Sequence, residues 1–289
     1  MEWFEAELGD PHALEQAMQG VTTVFHAAGK VSFEARDADR LFEVNAMGTT
    51  HVVNAALAAG VENLIHISSV AAIKRSGGSS LESPIRESVE WTADGGSGAS
   101  TYGKSKRAGE LEAWRGAAEG LNVFALCPSI VIGAGNFRVS SGEMWSRVAA
   151  GMNWAPPGAS GFVAATDIAL AAGNLLDAAL AGRPGIWGER FILSEGTHTF
   201  DEVLGGIALQ LGLEPPSKMP PGWLLTLAWR PLELWSRLTG TRALLTRDMM
   251  QTATTTVYYS TEKLTSVLPE FKFKPLEEAL AETAPLFSR

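Results

Sequence analysis

The chain has 289 residues, 46% hydrophobic and 19% charged, the profile of a globular protein long enough to bury a substantial core in one large or two ordinary domains. Its 32 acidic and 23 basic residues give a net charge of -9, which repels phosphate backbones and argues against general nucleic-acid binding. A single cysteine, Cys127, allows neither an intrachain disulfide nor a cysteine-rich metal site, and the five histidines (His12, His26, His51, His66 and His198) show no helical metal-binding pair, so no metal is expected. No apolar run reaches the roughly 20 residues that a bilayer requires. Residues 168–180 are interrupted by Asp177, and residues 223–235 by Arg230-Pro231. The start, Met1-Glu2-Trp3-Phe4-Glu5, carries acid where a signal peptide has a basic region, so a reducing, cytoplasmic setting is expected.

In chain order, residues 3–8 read as a short strand and 11–19 as a helix with Asp10 at its N-cap. Residues 23–27 read as a buried strand, 39–59 as a long helix ended by Gly60, and 63–68 as another strand. The polar stretch 74–100, with Asp94-Gly95-Gly96-Ser97-Gly98, reads as loop. A helix over 102–120 and a strand over 122–126 follow. Strands alternating with helices predict a parallel sheet covered on both faces. After Gly133 the pattern changes. Residues 134–161 look irregular, 167–181 helical, 190–193 a strand, and 200–289 mostly helix punctuated by Pro215-Pro216 and Pro220-Pro221. The expected class is α/β, a doubly wound parallel sheet with a smaller, mainly helical region laid over its carboxyl edge, where open α/β folds bind ligands.

Tyr102 and Lys106, in Tyr-Gly-Lys-Ser-Lys, lie four apart and so share one helix face. A free phenol has a pKa of about 10, and an ammonium beside it lowers that value. Such a tyrosine can exchange a proton with an alcohol oxygen while hydride moves at the carbon. The spacing alone also describes an ordinary surface pair. Ser68-Ser69, directly after a predicted strand, sharpens the pattern, because a hydroxyl there can hold a reacting oxygen against the phenol.

Farther back stand Gly9-Asp10, Val24-Phe25-His26-Ala27-Ala28-Gly29, and Asn45 with Gly48-Thr49; downstream comes Cys127-Pro128-Ser129-Ile130-Val131-Ile132-Gly133. In this order the chain resembles the extended short-chain dehydrogenase/reductases, the NAD-dependent epimerase/dehydratase family. It looks nearest to dihydroflavonol-reductase-like and 3β-hydroxysteroid-dehydrogenase-like members. The resemblance implies a Rossmann-type domain over 1–135 and 162–193 that binds NAD or NADP, and a substrate-binding region over 136–161 and 194–289. It implies that Ser69 polarises the substrate oxygen and that Tyr102 is the acid/base. Lys106 would lower the phenol pKa and hydrogen-bond the nicotinamide ribose. Asp10 would accept from the adenine amine, Ala27, Ala28 and Gly29 would let the backbone pass close to the cofactor, and Ser68, Pro128, Ser129 and Ile130 would contact it. Asp10 as a helix cap, and Ala27-Ala28 as strand packing, are the plainer alternatives.

The family's G-x-x-G-x-x-G turn, which aims backbone N–H groups at the pyrophosphate, does not occur at the start. The lookalike Gly158-Ala159-Ser160-Gly161 follows Pro156-Pro157 rather than a strand. The beginning resembles the family's third strand, so an N-terminally truncated reading is expected, short of two βα units of about 30 residues each. Without the family's first strand, expected between 3–8 and 23–27, these two would face a gap or have to pair directly. The residue that selects NAD or NADP would lie there too, and such a chain is expected to bind the cofactor weakly.

Ser69 is followed by Val70-Ala71-Ala72-Ile73, without the acidic pair of dehydratase relatives, so the resemblance implies redox at one alcohol or ketone. Epimerisation of a nucleotide sugar at the same residues, or a non-catalytic dinucleotide sensor, are the alternatives. Arg138, Glu143 and Trp145 are candidate substrate contacts. The apolar segment 223–235 reads as a helix packed on the first domain or on a homodimer mate, or else as an oily pocket or peripheral membrane contact. The expected partner is a small-molecule substrate, with no nucleic acid.

Overall fold

A computed structural model describes residues 2–73, 79–89, 91, 99–221, 223 and 246–287. Within them the chain forms α1 (Pro11–Ala17), β1 (Thr23–His26), α2 (Ala38–Phe42), a π turn (Glu43–Met47), α3 (Gly48–Ala58), β2 (Asn63–Ile67), α4 (Thr101–Ala118) and β3 (Asn122–Pro128). It continues through β4 (Ile130–Ile132), α5 (Glu143–Ala149), β5 (Ala159–Ala164), α6 (Ala165–Leu180), β6 (Arg190–Leu193), β7 (Gly196–Thr199), α7 (Phe200–Gln210), α8 (Arg247–Thr254), α9 (Glu262–Val267) and α10 (Leu276–Thr283).

The main sheet is parallel, in the order β1-β2-β3-β6. Successive side chains of a strand point to opposite faces, and here each face has its own layer of helices. Leu64 and Val123 pack with Leu14, Val52, Val53 and Ala113 of α1, α3 and α4. Their neighbours Ile65 and Phe124 pack with Ala171, Leu175 and Leu264 of α6 and α9. Both faces are therefore covered, which explains why β2 and β3 are nearly continuous apolar runs. This is a Rossmann-like α/β fold.

Only Ser129 separates β3 from β4, which opens a second sheet in the order β4-β5-β7, with β4 and β5 parallel and β7 antiparallel. Its core joins Trp145, Phe162, Phe200, Val203, Ile207 and Leu280. The stretch 134–161, expected to be irregular, thus carries α5 and the start of β5. Trp145 draws α5 inward against Phe137 and Phe287, partners that local composition does not reveal.

Three further expectations are corrected. Residues 3–8 form no strand: Trp3 is 88% exposed, and among the described residues no strand lies beyond β1 to pair with them. For the same reason β1 is an edge and not a buried strand, with Phe25 51% exposed. The long helix over 39–59 is divided by the π turn. The helix ends follow the sequence more closely. Asp10 Oδ1 accepts from Ala13 N at 3.0 Å, Ser100 Oγ from Gly103 N at 3.0 Å, and Gly60 takes a positive φ of 74° just past α3. Residues 224–235 of the apolar segment, and 74–78, 90 and 92–98 of the polar loop, lie outside the described residues; Trp223 is exposed. Among the described residues no helix is long and apolar enough to cross a membrane, and no group of three His, Cys, Asp or Glu could hold a metal ion.

Candidate active site

At the carboxyl end of β2 the backbone N–H of Ser68 donates to Leu126 O at 2.7 Å, holding this end against β3. Ser69 then caps a short 3₁₀ turn, Val70–Ala72, its Oγ accepting from Ala71 N at 3.1 Å. The first turn of α4 lies directly on that turn. A Cβ on Gly103 would stand 2.5 Å from the Ala71 carbonyl oxygen, so only glycine permits the approach. The approach brings Tyr102 next to Ser69, whose hydroxyl acts on the phenol. Phe33 packs edge-on to the Tyr102 ring at 6.0 Å. One turn along α4, Lys106 is 6% exposed and its Nζ donates to Ile67 O at 2.8 Å.

Burial governs the charges here. It pushes the Tyr102 phenol above its ordinary value, with the Ser69 hydrogen bond working the other way. Burial also brings Lys106 down to about 8, against the pull of Cys127 and Glu110. Desolvation thus outweighs the pull of the Ser69 hydroxyl on the phenol, and the ammonium is anchored to a backbone carbonyl. His26, which meets Thr49 Oγ1 at 3.0 Å, is lowered to about 4 by burial and by Lys106. Burial likewise lowers His66, whose ring nitrogens have no hydrogen-bond partner among the described residues. Both imidazoles are neutral at neutral pH. What results is a protonated phenol beside a serine hydroxyl and one helical turn from a buried ammonium, an arrangement able to deliver a proton to an oxygen.

Beside it lies a shelf of small residues, Ala27, Ala28 and Gly29, all exposed after β1. Asn45, from the π turn, braces the shelf. Its side chain accepts from Lys30 N (2.7 Å) and donates to Lys30 O (2.9 Å) and to Ser105 Oγ on α4 (2.9 Å). A Cβ on Gly29 would lie 3.2 Å from Asn45 Oδ1 and 3.6 Å from Lys106 Nζ, so shelf and lysine meet. At the end of β3, Pro128 and Ser129 are buried and Ile130 is half-buried. Ser129 N donates to Leu193 O at 2.9 Å, while its buried Oγ has no hydrogen-bond partner among the described residues. The orphaned hydroxyl, the side-chain-poor shelf and the lysine facing it fit the nicotinamide end of a dinucleotide.

Other candidates are used differently. Ser68 turns its hydroxyl to Glu110 Oε2 at 2.7 Å. Asp10 is exposed and caps α1. Trp145 is core, and Glu143 faces Arg147 at 3.5 Å on the same helix. The sequence did not single out Glu110 or assign Asn45 a role. The break of helical geometry at Asn45 has no local signal, although π turns often mark functional sites.

A family model described as the NAD dependent epimerase/dehydratase family matches residues 1–157. A Synechocystis sp. protein carried under the provisional name dihydroflavonol 4-reductase is 28% identical over 99% of this chain and 82% of its own length. Sterol demethylase protein B of Methylococcus capsulatus is 30% identical over 68% of this chain and 57% of its own. The crystal structure of gox2253 superposes with a TM-score of 0.76 at 25% identity, covering 98% of this chain and 83% of that one.

Proposed function

Because the chain belongs to the NAD-dependent epimerase/dehydratase family, we propose that it is an NAD(P)-dependent oxidoreductase acting on a single alcohol or ketone through Ser69, Tyr102 and Lys106. The observation that carries this reading is the hydroxyl pair of Tyr102 and Ser69, one turn from a buried lysine. Lys106 would hold the nicotinamide ribose, Ala27, Ala28 and Gly29 would pass beneath the cofactor, and Pro128, Ser129 and Ile130 would flank the ring. When bound, the nicotinamide supplies the hydride donor or acceptor. The protein's own residues handle the oxygen. Ser69 donates to it and fixes its distance from Tyr102. The phenol, kept protonated by burial, gives it a proton as negative charge develops. Lys106, charged below about pH 8, stabilises the phenolate left behind. For the reverse reaction the phenolate accepts the proton. The names of the two relatives, provisional dihydroflavonol 4-reductase and sterol demethylase protein B, together with the absence of a carboxylate in residues 70–73, support an apolar ring-bearing alcohol or ketone as substrate class.

The test is a panel of ring ketones and secondary alcohols, assayed through nicotinamide absorbance at saturating cofactor. Tyr102→Phe is expected to lower kcat/KM by about 10²–10⁴-fold, typical of losing a positioned acid. Turnover that survives this substitution would refute the assignment.

A further inference from the structure

Glu110 lies one turn beyond Lys106 on α4 and is completely buried. A buried carboxylate is tolerated only when its oxygens are met by donors. These come from several elements. Oε2 accepts from the Ser68 hydroxyl at the end of β2 (2.7 Å), with Cys127 Sγ of β3 at 3.9 Å. Oε1 accepts from Arg107 (2.9 Å) and Trp114 (3.3 Å) of α4, and from Arg190 (3.2 Å) at the start of β6. Arg190 is itself held by the carbonyls of Glu87 and Val89. Ser68 directly precedes Ser69 in the chain, so this carboxylate ties the strand end that carries the active-site serine to the helix that carries the tyrosine and lysine.

We propose that Glu110 is a positioning residue of the site: through Ser68 it pins the end of β2 to α4, and it sets a negative charge beside the Lys106 ammonium. The inference rests on the roles given above to Ser69, Tyr102 and Lys106. Around Lys106 stand His26 of β1, His66 of β2, Cys127 of β3, and Tyr102 and Glu110 of α4. Glu110 is the carboxylate in this set, and it is itself faced by the guanidiniums of Arg107 on α4 and Arg190 on β6.

The experiment separates tie from charge, and neither arm needs turnover. Glu110→Gln removes the charge. The Lys106 titration, followed by carbon NMR of the lysine ε-methylenes, is then expected to move to lower pH by about half a unit or more. Ser68→Ala keeps the charge and cuts the tie. Lys106 should titrate as in the parent, while amide hydrogen exchange over 68–72 and the first turn of α4 speeds up several-fold. A Glu110→Gln protein with an unmoved Lys106 titration, or a Ser68→Ala protein with unchanged exchange there, overturns the proposal. If Glu110→Gln does not fold, the Ser68→Ala exchange decides alone. Surviving turnover in Tyr102→Phe would refute the reaction reading and leave both of these results intact.

Discussion

Lys106 carries a charge into a place that water barely reaches, and the consequence is a pH-dependent cost. In the folded protein it titrates at about 8, against 10.5 for an unburied lysine. Between these values the unfolded chain binds the proton more tightly, so stability rises with pH across the interval. The cost is fully present below about pH 8 and is relieved as pH climbs towards 10.5. Lys106→Met should therefore unfold at higher urea than the parent at neutral pH, by about 1–2 kcal/mol, with the difference shrinking on the alkaline side. The same variant should lose turnover. In the parent, turnover should decline as pH rises through about 8 and the ammonium is lost. A Lys106→Met protein that is less stable than the parent at neutral pH would contradict this account. His26 follows the same rule lower down: held neutral with a value of about 4 against 6.5, it withdraws stability as pH falls through that window.

At the scale of elements, the contact between α4 and the π turn decides the site. A Cβ on Gly109 would stand 2.1 Å from the Asn45 carbonyl oxygen, while one on Gly173 in α6 would meet nothing within 4 Å. Gly109→Ala should accordingly cost about 1–3 kcal/mol through overpacking. Gly173→Ala should add about 0.4–1 kcal/mol by restricting the unfolded chain. Equilibrium denaturation of the two proteins side by side checks the contrast, and equal effects would deny the close crossing. The same elements show what a sequence can reveal. β2, β3 and β6 are legible because both their faces are buried, and the shared helix face of Tyr102 and Lys106 follows from their spacing, whereas the place of Ser69 beside Tyr102 comes from the family resemblance. Glu110 is illegible because it stands in Lys-Arg-Ala-Gly-Glu, which has the look of a solvated face; its partners Ser68 and Arg190 are 42 and 80 residues away. Residues 3–8 have strand-like composition, but a strand also needs a neighbour, and composition says nothing about that.

For the whole molecule, the weak flank is the free edge of β1. There Phe25 is exposed beside a backbone that pairs on one side only among the described residues, and Trp3 and Phe4 are exposed as well. Such an edge is a template for pairing with other chains, opposed here only by the general repulsion of a -9 charge. Phe25→Lys should reduce self-association in light scattering, most clearly at high salt where that repulsion is screened, and leave the unfolding free energy within about 0.5 kcal/mol of the parent. Unchanged scattering would clear the edge of blame.

Cys127 offers a gauge of the molecule's integrity. It is the chain's one thiol, it lies fully buried in a central strand, and burial together with Glu110 suppresses its ionisation. Cys127 packs against Val70, Ile73, Ile85 and Val257, all outside the parallel sheet, so an alkylating reagent reaches it when these covering segments lift from β3. The pace at which this one sulfur is capped under native conditions is thus a clock for the lifting of that cover beside the active-site turn, built into the polypeptide and requiring no added label.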